Sequence, residues 1–501
     1  MRSKKAFLNL ITNILREVVN VICGFILPYI FISSFGSEVY GLTESITNFL
    51  GFIVLLEAGF GPVVKVALYK ALAKKNSNQV ERILKTSERF FRRIAIFFLF
   101  YVLGLTILYP SISGSNFDYV FTATLVLIMA VSVFAEYFFG ITYRLFLQSD
   151  QKTYVTNAIQ IITMLLNLCL IAVAVKCGAG VIVVKIITSI VYVLRPILQN
   201  IYVKRKYKIS LDGVKANYKI EQKWDALIHH VAFMIHSKTD IVILTLMSSL
   251  KNVAIYSVYA LILNGVKSIV SVIADSFSAA FGDMIAKAEK DTLRKRFNVY
   301  ETMFMTISAV VYSGTLMLIT PFVIVYTLNI NDADYIQPIF GVLLTISIYL
   351  LTVRQPYNEL IKAAGSFKQT RRGASVEAIV NIVLSIIMVW QFGLVGVAIG
   401  TLVAMLIRTI EFIYYANRHI LDRNIWVNVR KIVVVIFETM GVILISRFIP
   451  MPEMNSYLNW ILYAIEIMAV SVVMILPLNY LLYKNDFKDL WKILKKILRR
   501  K

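Results

Sequence analysis

The sequence is short of what a water-soluble domain puts on its surface. Only 16% of its 501 residues are charged and 58% are hydrophobic, where an average soluble domain has about 25% charged residues. Disordered chains need the opposite balance and are excluded. Three cysteines, Cys23, Cys169 and Cys177, are too few for a disulfide framework. Four histidines, His229, His230, His236 and His419, show no metal-ligand spacing. No GxxxxGK[ST] loop is present to cradle a nucleoside phosphate, so an ATP motor would have to reside on another chain. Acid is scarce as well: 29 Asp and Glu stand against 52 Lys and Arg, for a net charge of +23. What the chain does have is long apolar runs.

A spanning helix needs about 20 mostly apolar residues. Segments of this kind lie near 9–34, 40–69, 94–113, 119–143, 156–175, 180–203, 226–247, 252–282, 300–326, 336–361, 376–391, 394–417, 431–449 and 457–483, about fourteen in all. Every second connection is basic, with Lys74, Lys75, Arg92, Arg93, Lys204, Arg205 and Lys206 among its residues, while the opposite loops are short and almost free of Lys and Arg. The positive-inside rule then places both termini in the cytoplasm of a multi-pass protein. A nucleic-acid partner is not expected, because the basic charge is dispersed over alternate loops rather than gathered into one footprint. The first segment is too long for a signal-peptide core and lacks a cleavage site, so it is expected to remain as a span.

Comparison of the chain with itself gives a weak match at an offset of about 214 residues. Tyr143–Asn167 falls on Tyr357–Asn381, and Arg195 and Tyr202 fall near Arg408 and Tyr415. Six spans per half return the chain to the same side, so the halves are expected to be parallel repeats with a substrate site between them. The domain reading is an N-terminal lobe 1–203, a cytoplasmic linker 204–225, a second lobe 226–417, two further spans in 418–483 and a tail 484–501. The tail places Phe487, Leu490, Trp491, Leu494, Ile497 and Leu498 on one face and basic residues on the other, which suits an anionic inner leaflet.

Ionisable and polar residues inside spans are costly and mark functional candidates. Asn9, Asn13, Arg16, Asn20 and Gly24 share one helical face in the first segment, and Glu44, Asn48 and Gly51 share one in the second. His229, His236 and Asp240 form a stripe in the seventh with Lys238 beside it. Asn264, Lys267, Ser268, Ser271, Asp275 and Ser278 form another in the eighth. Arg354, Asn358 and Lys362 step along the tenth, where Pro356 is placed to kink the helix. The candidate substrate cavity is therefore Arg16, Asn20, Glu44, Asn48, Lys238, Asp240, Asn264, Lys267, Ser271, Asp275, Arg354 and Asn358. Cations at this depth suit an anionic cargo, since phosphate oxygens accept charge-assisted hydrogen bonds from Arg and Lys. The acids would pair with those cations or take up a coupling ion.

Two stretches carry a family resemblance. FGSEVYGLTESITNFLGFIVLLEAGFG (Phe35–Gly61) has a Tyr-Gly turn and a helix ending in acidic-x-Gly-x-Gly. LIKAAGSFKQTRRGASVEAIVNIVLSIIMVWQFGLVGVAIGTLVA (Leu360–Ala404) has a small-Gly-x-x-basic loop, an Asn-led span and a Gly-x-x-Gly turn. Both resemble the polysaccharide-transport (Wzx-type) branch of the multidrug/oligosaccharidyl-lipid/polysaccharide exporter superfamily. The resemblance implies an all-α, V-shaped, bilobed transporter of two six-helix repeats plus two C-terminal helices. It implies a flippase of the bacterial cytoplasmic membrane for undecaprenyl-pyrophosphate-linked oligosaccharide, working by alternating access in capsule, O-antigen or other surface-glycan synthesis. No catalysis, metal or cofactor is implied, and the driving force would be a proton or sodium gradient. Membrane lipids, a polysaccharide polymerase and glycosyltransferases are the implied partners. The alternatives are a cation-coupled multidrug exporter of the same superfamily and a membrane polysaccharide polymerase. The short outer loops argue against the polymerase.

Overall fold

The structure, a computed structural model, describes residues 2–57, 59–114, 116–207, 209, 211, 213–216, 218, 238–275, 281, 284–285, 287 and 289–498, without the side chains of 2–4, 272–275, 367, 368, 493, 494 and 496–498. All regular structure among these residues is helical. Eleven of the helices are long and apolar enough to cross a membrane. Their outward faces carry large apolar side chains, Phe97, Phe100, Trp390 and Val473 among them, each at least 66% exposed. Water would reject such a surface and lipid accepts it. The chain is a multi-pass membrane protein.

The molecule divides into two compact units, Met1–Ala254 and Ile255–Lys501. The first holds α1 (Arg2–Phe35), α2 (Ser37–Leu50), α3 (Phe60–Ala73), α4 (Ser77–Ile112), α5 (Tyr119–Ala135), α6 (Ile141–Ser149), α7 (Thr153–Lys176) and α8 (Val181–Tyr207). A single π-helical turn, Glu136–Gly140, joins α5 to α6. Within this unit α1 packs on α7, α7 on α8, α8 on α5 and α5 on α4. Residues 238–247 are helical and belong here, as does the start of α9 (Leu250–Asp275). The second unit continues with α10 (Lys290–Tyr326), α11 (Pro338–Val353), α12 (Gln355–Ala363), α13 (Phe367–Tyr415), α14 (Trp426–Ser446), α15 (Tyr457–Leu482) and α16 (Lys484–Leu498). Here α13 packs on α11, and α10 packs on α11, α14 and α15.

Three of the apolar runs depart from plain single spans. The second run, expected unbroken over 40–69, is divided by a 3-10 turn at Gly51–Ile53 and by Gly59 at φ 82°. Apolar residues flank both breaks, so hydropathy passes over them. The eleventh and twelfth runs form one long element, α13, that reverses at Gly393 with φ 53° and ψ −125°. That conformation is open almost only to glycine. Gly393→Val is expected to cost about 1–3 kcal/mol, read as a lower apparent melting temperature of the purified protein. The seventh run, 226–247, lies largely outside the described residues, including His229, His230 and His236.

The short turn between α6 and α7 is held by charge. Asp150 accepts from the Tyr207 hydroxyl at the end of α8, pairs with Lys152 at 3.1 Å and with Lys5 of α1 at 3.4 Å. Burial raises the Asp150 carboxyl, but the hydrogen bonds from Tyr207 and Lys152 and the charges of Lys152 and Lys5 outweigh it and hold the group below its ordinary range. A depressed folded-state value means the stabilisation is complete above the unfolded value, about 3.9, and is lost as pH falls through the folded one. Acidification through that range should lower the melting temperature of the wild type more than that of Asp150→Asn; equal slopes would remove Asp150 from this role.

In the second unit the appended pair α14–α15 is fastened to α10 by close packing of small residues. Ser313 of α10 donates to Ser471 of α15 at 3.5 Å, and Gly314 lies against Met468. Such small side chains let helices approach where lipid supplies no hydrophobic drive. α16 is tied to the start of α10, with Thr302 donating to Asp486 at 2.6 Å and Lys295 pairing with Asp489 at 3.2 Å. Trp491 stays exposed. The three cysteines are free thiols.

Candidate functional site

In the first unit a cavity of about 370 Å³ opens among α1, α2, α5, α7 and α8. Apolar residues such as Leu27, Pro28, Phe31 and Ile171 share its wall with Thr43, Glu44, Ser132, Asn167, Lys185, Thr188 and Tyr192. Larger hollows, about 490 Å³ at residues 414–425 and about 510 Å³ at 324–336, lie at helix ends. The charged pair of the smaller cavity is Glu44 and Lys185. The Lys185 ammonium sits 4.3 Å above the Phe31 ring, a cation–π contact. The charges of Lys185 and Lys238 both act on Glu44. None of the three joins an ion pair among the described residues.

The neighbouring backbone explains how Lys238 comes near. Gly41, on α2, meets Leu250 at the start of α9 so closely that a Cβ would overlap the Leu250 carbonyl. Ser45 and Thr245 hydrogen-bond at 2.7 Å, holding the 238–247 stretch to α2. Lys238 then lies along α2, and a Cβ at Gly51 would stand 3.4 Å from its Nζ. Asn48 is buried and donates to the Glu44 carbonyl at 2.9 Å, so its amide serves its own helix. Asp240 is buried.

The polar stripe of α1 divides into two parts. Asn9 accepts from the Tyr154 backbone at 2.8 Å and donates to the Gln151 carbonyl at 3.0 Å. Asn13 accepts from Asn157 at 2.8 Å. These residues fasten α1 to α7 rather than facing a substrate. Arg16 pairs with its neighbour Glu17 at 3.4 Å, both side chains being more than one-third exposed, and Asn20 is exposed.

The second unit brings Lys267 and Arg354 into electrostatic contact. Arg354 is buried and donates to Glu377 of α13 at 2.6 Å. Arg408 reaches the same carboxylate at 3.4 Å, pairs with Glu411 and donates to the Thr370 carbonyl at 3.0 Å. Arg354 is thus part of a buried charge cluster, whereas Lys267, half-buried, joins no ion pair among the described residues. Arg354 stands at the break between α11 and α12, with Pro356 in the first turn of α12. Ser271 accepts from Gln355 at 2.8 Å. Asn264 is exposed and Asn358 half-buried. The side chain of Asp275, and all of Ser278, lie outside the described residues.

The two units repeat one arrangement at the positions that the self-comparison pairs. Arg195 of α8 donates to Thr163 of α7 at 2.8 Å; in the second unit Arg408 meets Glu377 in the same places. Asn167 donates to Tyr192 at 3.4 Å and Asn381 to Thr401 at 2.9 Å, and in each Asn the Oδ1 is buried without a partner. The same helix pair is therefore bridged by Arg and Asn in both halves, and the second half has replaced a hydroxyl acceptor by a carboxylate.

Sequence reading passed over a second buried network. Glu301 of α10 is fully buried and accepts from Arg423 at 2.8 and 2.9 Å, Lys431 at 2.6 Å, Asn428 at 2.7 Å and the Tyr357 hydroxyl. Glu301 stands at the edge of its apolar run, where a carboxylate reads as a loop residue. Its partners are distant in sequence, so no periodicity joins them.

No protein-family model matches the chain and no curated protein does. Solved structures do. The lipid II flippase MurJ in an inward closed conformation is 15% identical, with 96% of this chain and 99% of that one covered at a TM-score of 0.72. An inward-facing multidrug resistance MATE family transporter of the MOP superfamily is 13% identical, covering 83% of this chain and 98% of its own at 0.62. The Vibrio cholerae MATE transporter VcmN is 16% identical, covering 85% and 99% at 0.57. The fold is the one these proteins share, and all three are transporters or flippases rather than enzymes.

Proposed function

We propose that the chain is a flippase of the bacterial cytoplasmic membrane that carries undecaprenyl-pyrophosphate-linked oligosaccharide outward by alternating access. Its product would feed a surface-polysaccharide polymerase, and glycosyltransferases would supply its substrate. A proton or sodium gradient would drive it without a cofactor, and both termini would face the cytoplasm. One observation carries this reading. Lys185, Lys238 and Lys267 are ammonium groups at span depth, each at least half-buried and none in an ion pair among the described residues. Burying unpaired charge is costly and is kept where a ligand of opposite charge arrives. A pyrophosphate offers the acceptors, and the likeness to a lipid II flippase over nearly the whole chain agrees with a lipid-linked cargo.

A cation-coupled multidrug exporter is the second reading, favoured by the carboxylate of Glu44 in the first unit's cavity and by the MATE likeness. The two differ in the charge of the cargo. In proteoliposomes, a prenyl-pyrophosphate oligosaccharide should move at least about tenfold faster than its monophosphate analogue, as the loss of one hydrogen bond to a charged group implies. Equal rates would mean that the cations do not read the pyrophosphate.

A further inference from the structure

The appended pair α14–α15 holds a carboxyl group for which the transport reading has no use. Glu438 lies in the middle of α14 and is 1% exposed. Its Oε1 accepts a hydrogen bond from the Nδ2 of Asn479 on α15. That same nitrogen also donates to the Ile475 carbonyl at 3.1 Å, so two acceptors fix which end of the amide faces the acid. The other oxygen, Oε2, is buried with no hydrogen-bond partner.

The surroundings supply no countercharge. The titratable groups that Glu438 acts on are phenols, Tyr349 of α11 and Tyr483 just past α15. On its own helix the cations are Arg430, which sits over the Tyr483 ring at 6.0 Å, and Lys431, committed to Glu301 at 2.6 Å. Around it Val310 of α10, Val435 and Val442 of its own helix and Ile475 of α15 form one buried apolar cluster. A carboxylate with a bare oxygen in such a place costs several kcal/mol, and the group avoids the cost by keeping a proton. A metal ion would need several oxygens around it, and Asn479 presents its N–H instead. Oε1 is the carbonyl oxygen that accepts, which leaves Oε2 as the hydroxyl.

We propose that Glu438 and Asn479 form a proton-binding site between α14 and α15, in which an exchangeable proton on Oε2 keeps the two helices closed on each other. Loss of the proton would leave a bare charge between them, relieved by admitting water. The site does not depend on which cargo the protein carries, and its proton can be read without any transport.

The test uses the full-length protein in lipid nanodiscs and infrared difference spectra. At neutral pH the wild type should show a protonated-carboxyl stretching band that is missing from Glu438→Gln and that fades as pH is raised. The wild type should also lose thermal stability on alkalinisation more steeply than Glu438→Gln, whose neutral amide imitates the protonated acid. Should the Gln variant fail to fold, Asn479→Leu serves instead: it keeps the acid, and its band should persist, moved toward that of an unbonded carbonyl. An ionised-carboxylate band at neutral pH assigned to Glu438 overturns the proposal. So does an Asn479→Leu spectrum in which the protonated band is unchanged.

Discussion

Replacing Glu301 with alanine should lower stability by about 3–5 kcal/mol, the usual result of removing one partner from a buried ion pair. The cost arises because Arg423 and Lys431, both about 5% exposed or less, would be left as uncompensated buried charges, with Asn428 and Tyr357 losing an acceptor. Glu301 joins α10 to α14 and to the loop before it, so the appended pair should loosen first. The measurement is an apparent melting temperature in detergent. Lys362→Ala serves as the control, because its pair with Glu359 is 46% exposed on the lysine side and such pairs contribute little. Equal melts for the two variants would show that the Glu301 network does not hold the pair.

Lys185→Ala should reduce translocation of a lipid-linked pyrophosphate by at least about tenfold, the equivalent of one lost hydrogen bond to a charged group. Folding should survive, because Lys185 contributes a cation–π contact and no ion pair among the described residues. Lys267→Ala should behave the same way. Arg354→Ala should not: it removes the nearer of two cations on buried Glu377 and should act on stability before it acts on transport. Glu44→Gln removes the acid that competes for Lys185 and Lys238, and should strengthen binding of an anion to the cavity. Wild-type rates for both lysine variants, with the protein correctly inserted, would take the cavity out of the transport path.

The spans were legible because hydrophobic length is a property of composition, and the Gly393 reversal could be read from the three residues Gln391-Phe392-Gly393. The break at Gly59 falls in the acidic-x-Gly-x-Gly stretch where the family resemblance ends a helix, although hydropathy alone runs on past it. Among the charged groups, shared helical faces pointed to Glu44 and Lys267, with Lys238 beside the stripe of the seventh segment. Asn9 and Asn13 lie on such a face too, yet they hold α1 to α7, because a polar stripe marks a neighbour without saying whether it is protein or substrate. Lys185 is bracketed in sequence by apolar residues, with only Thr188 and Ser189 polar on its own helical face, and the other residues that make it part of a cavity arrive from α1, α2, α5 and α7. Glu438 and Glu377 stand inside or at the margin of apolar runs, yet no shared polar face singled them out. Their partners, Asn479 and the two arginines, come from other helices, and a periodicity argument sees one helix at a time.

The most direct test of the proposed function is transport by the purified wild-type chain in liposomes, offered a fluorescent prenyl-pyrophosphate oligosaccharide and, separately, a hydrophobic cation. Protein-dependent movement of the lipid-linked sugar between leaflets, with the cation left where it was, is the expected result. Movement of the cation down or against its gradient, with the lipid-linked sugar stationary, would contradict it and would identify the chain as an exporter of cationic compounds.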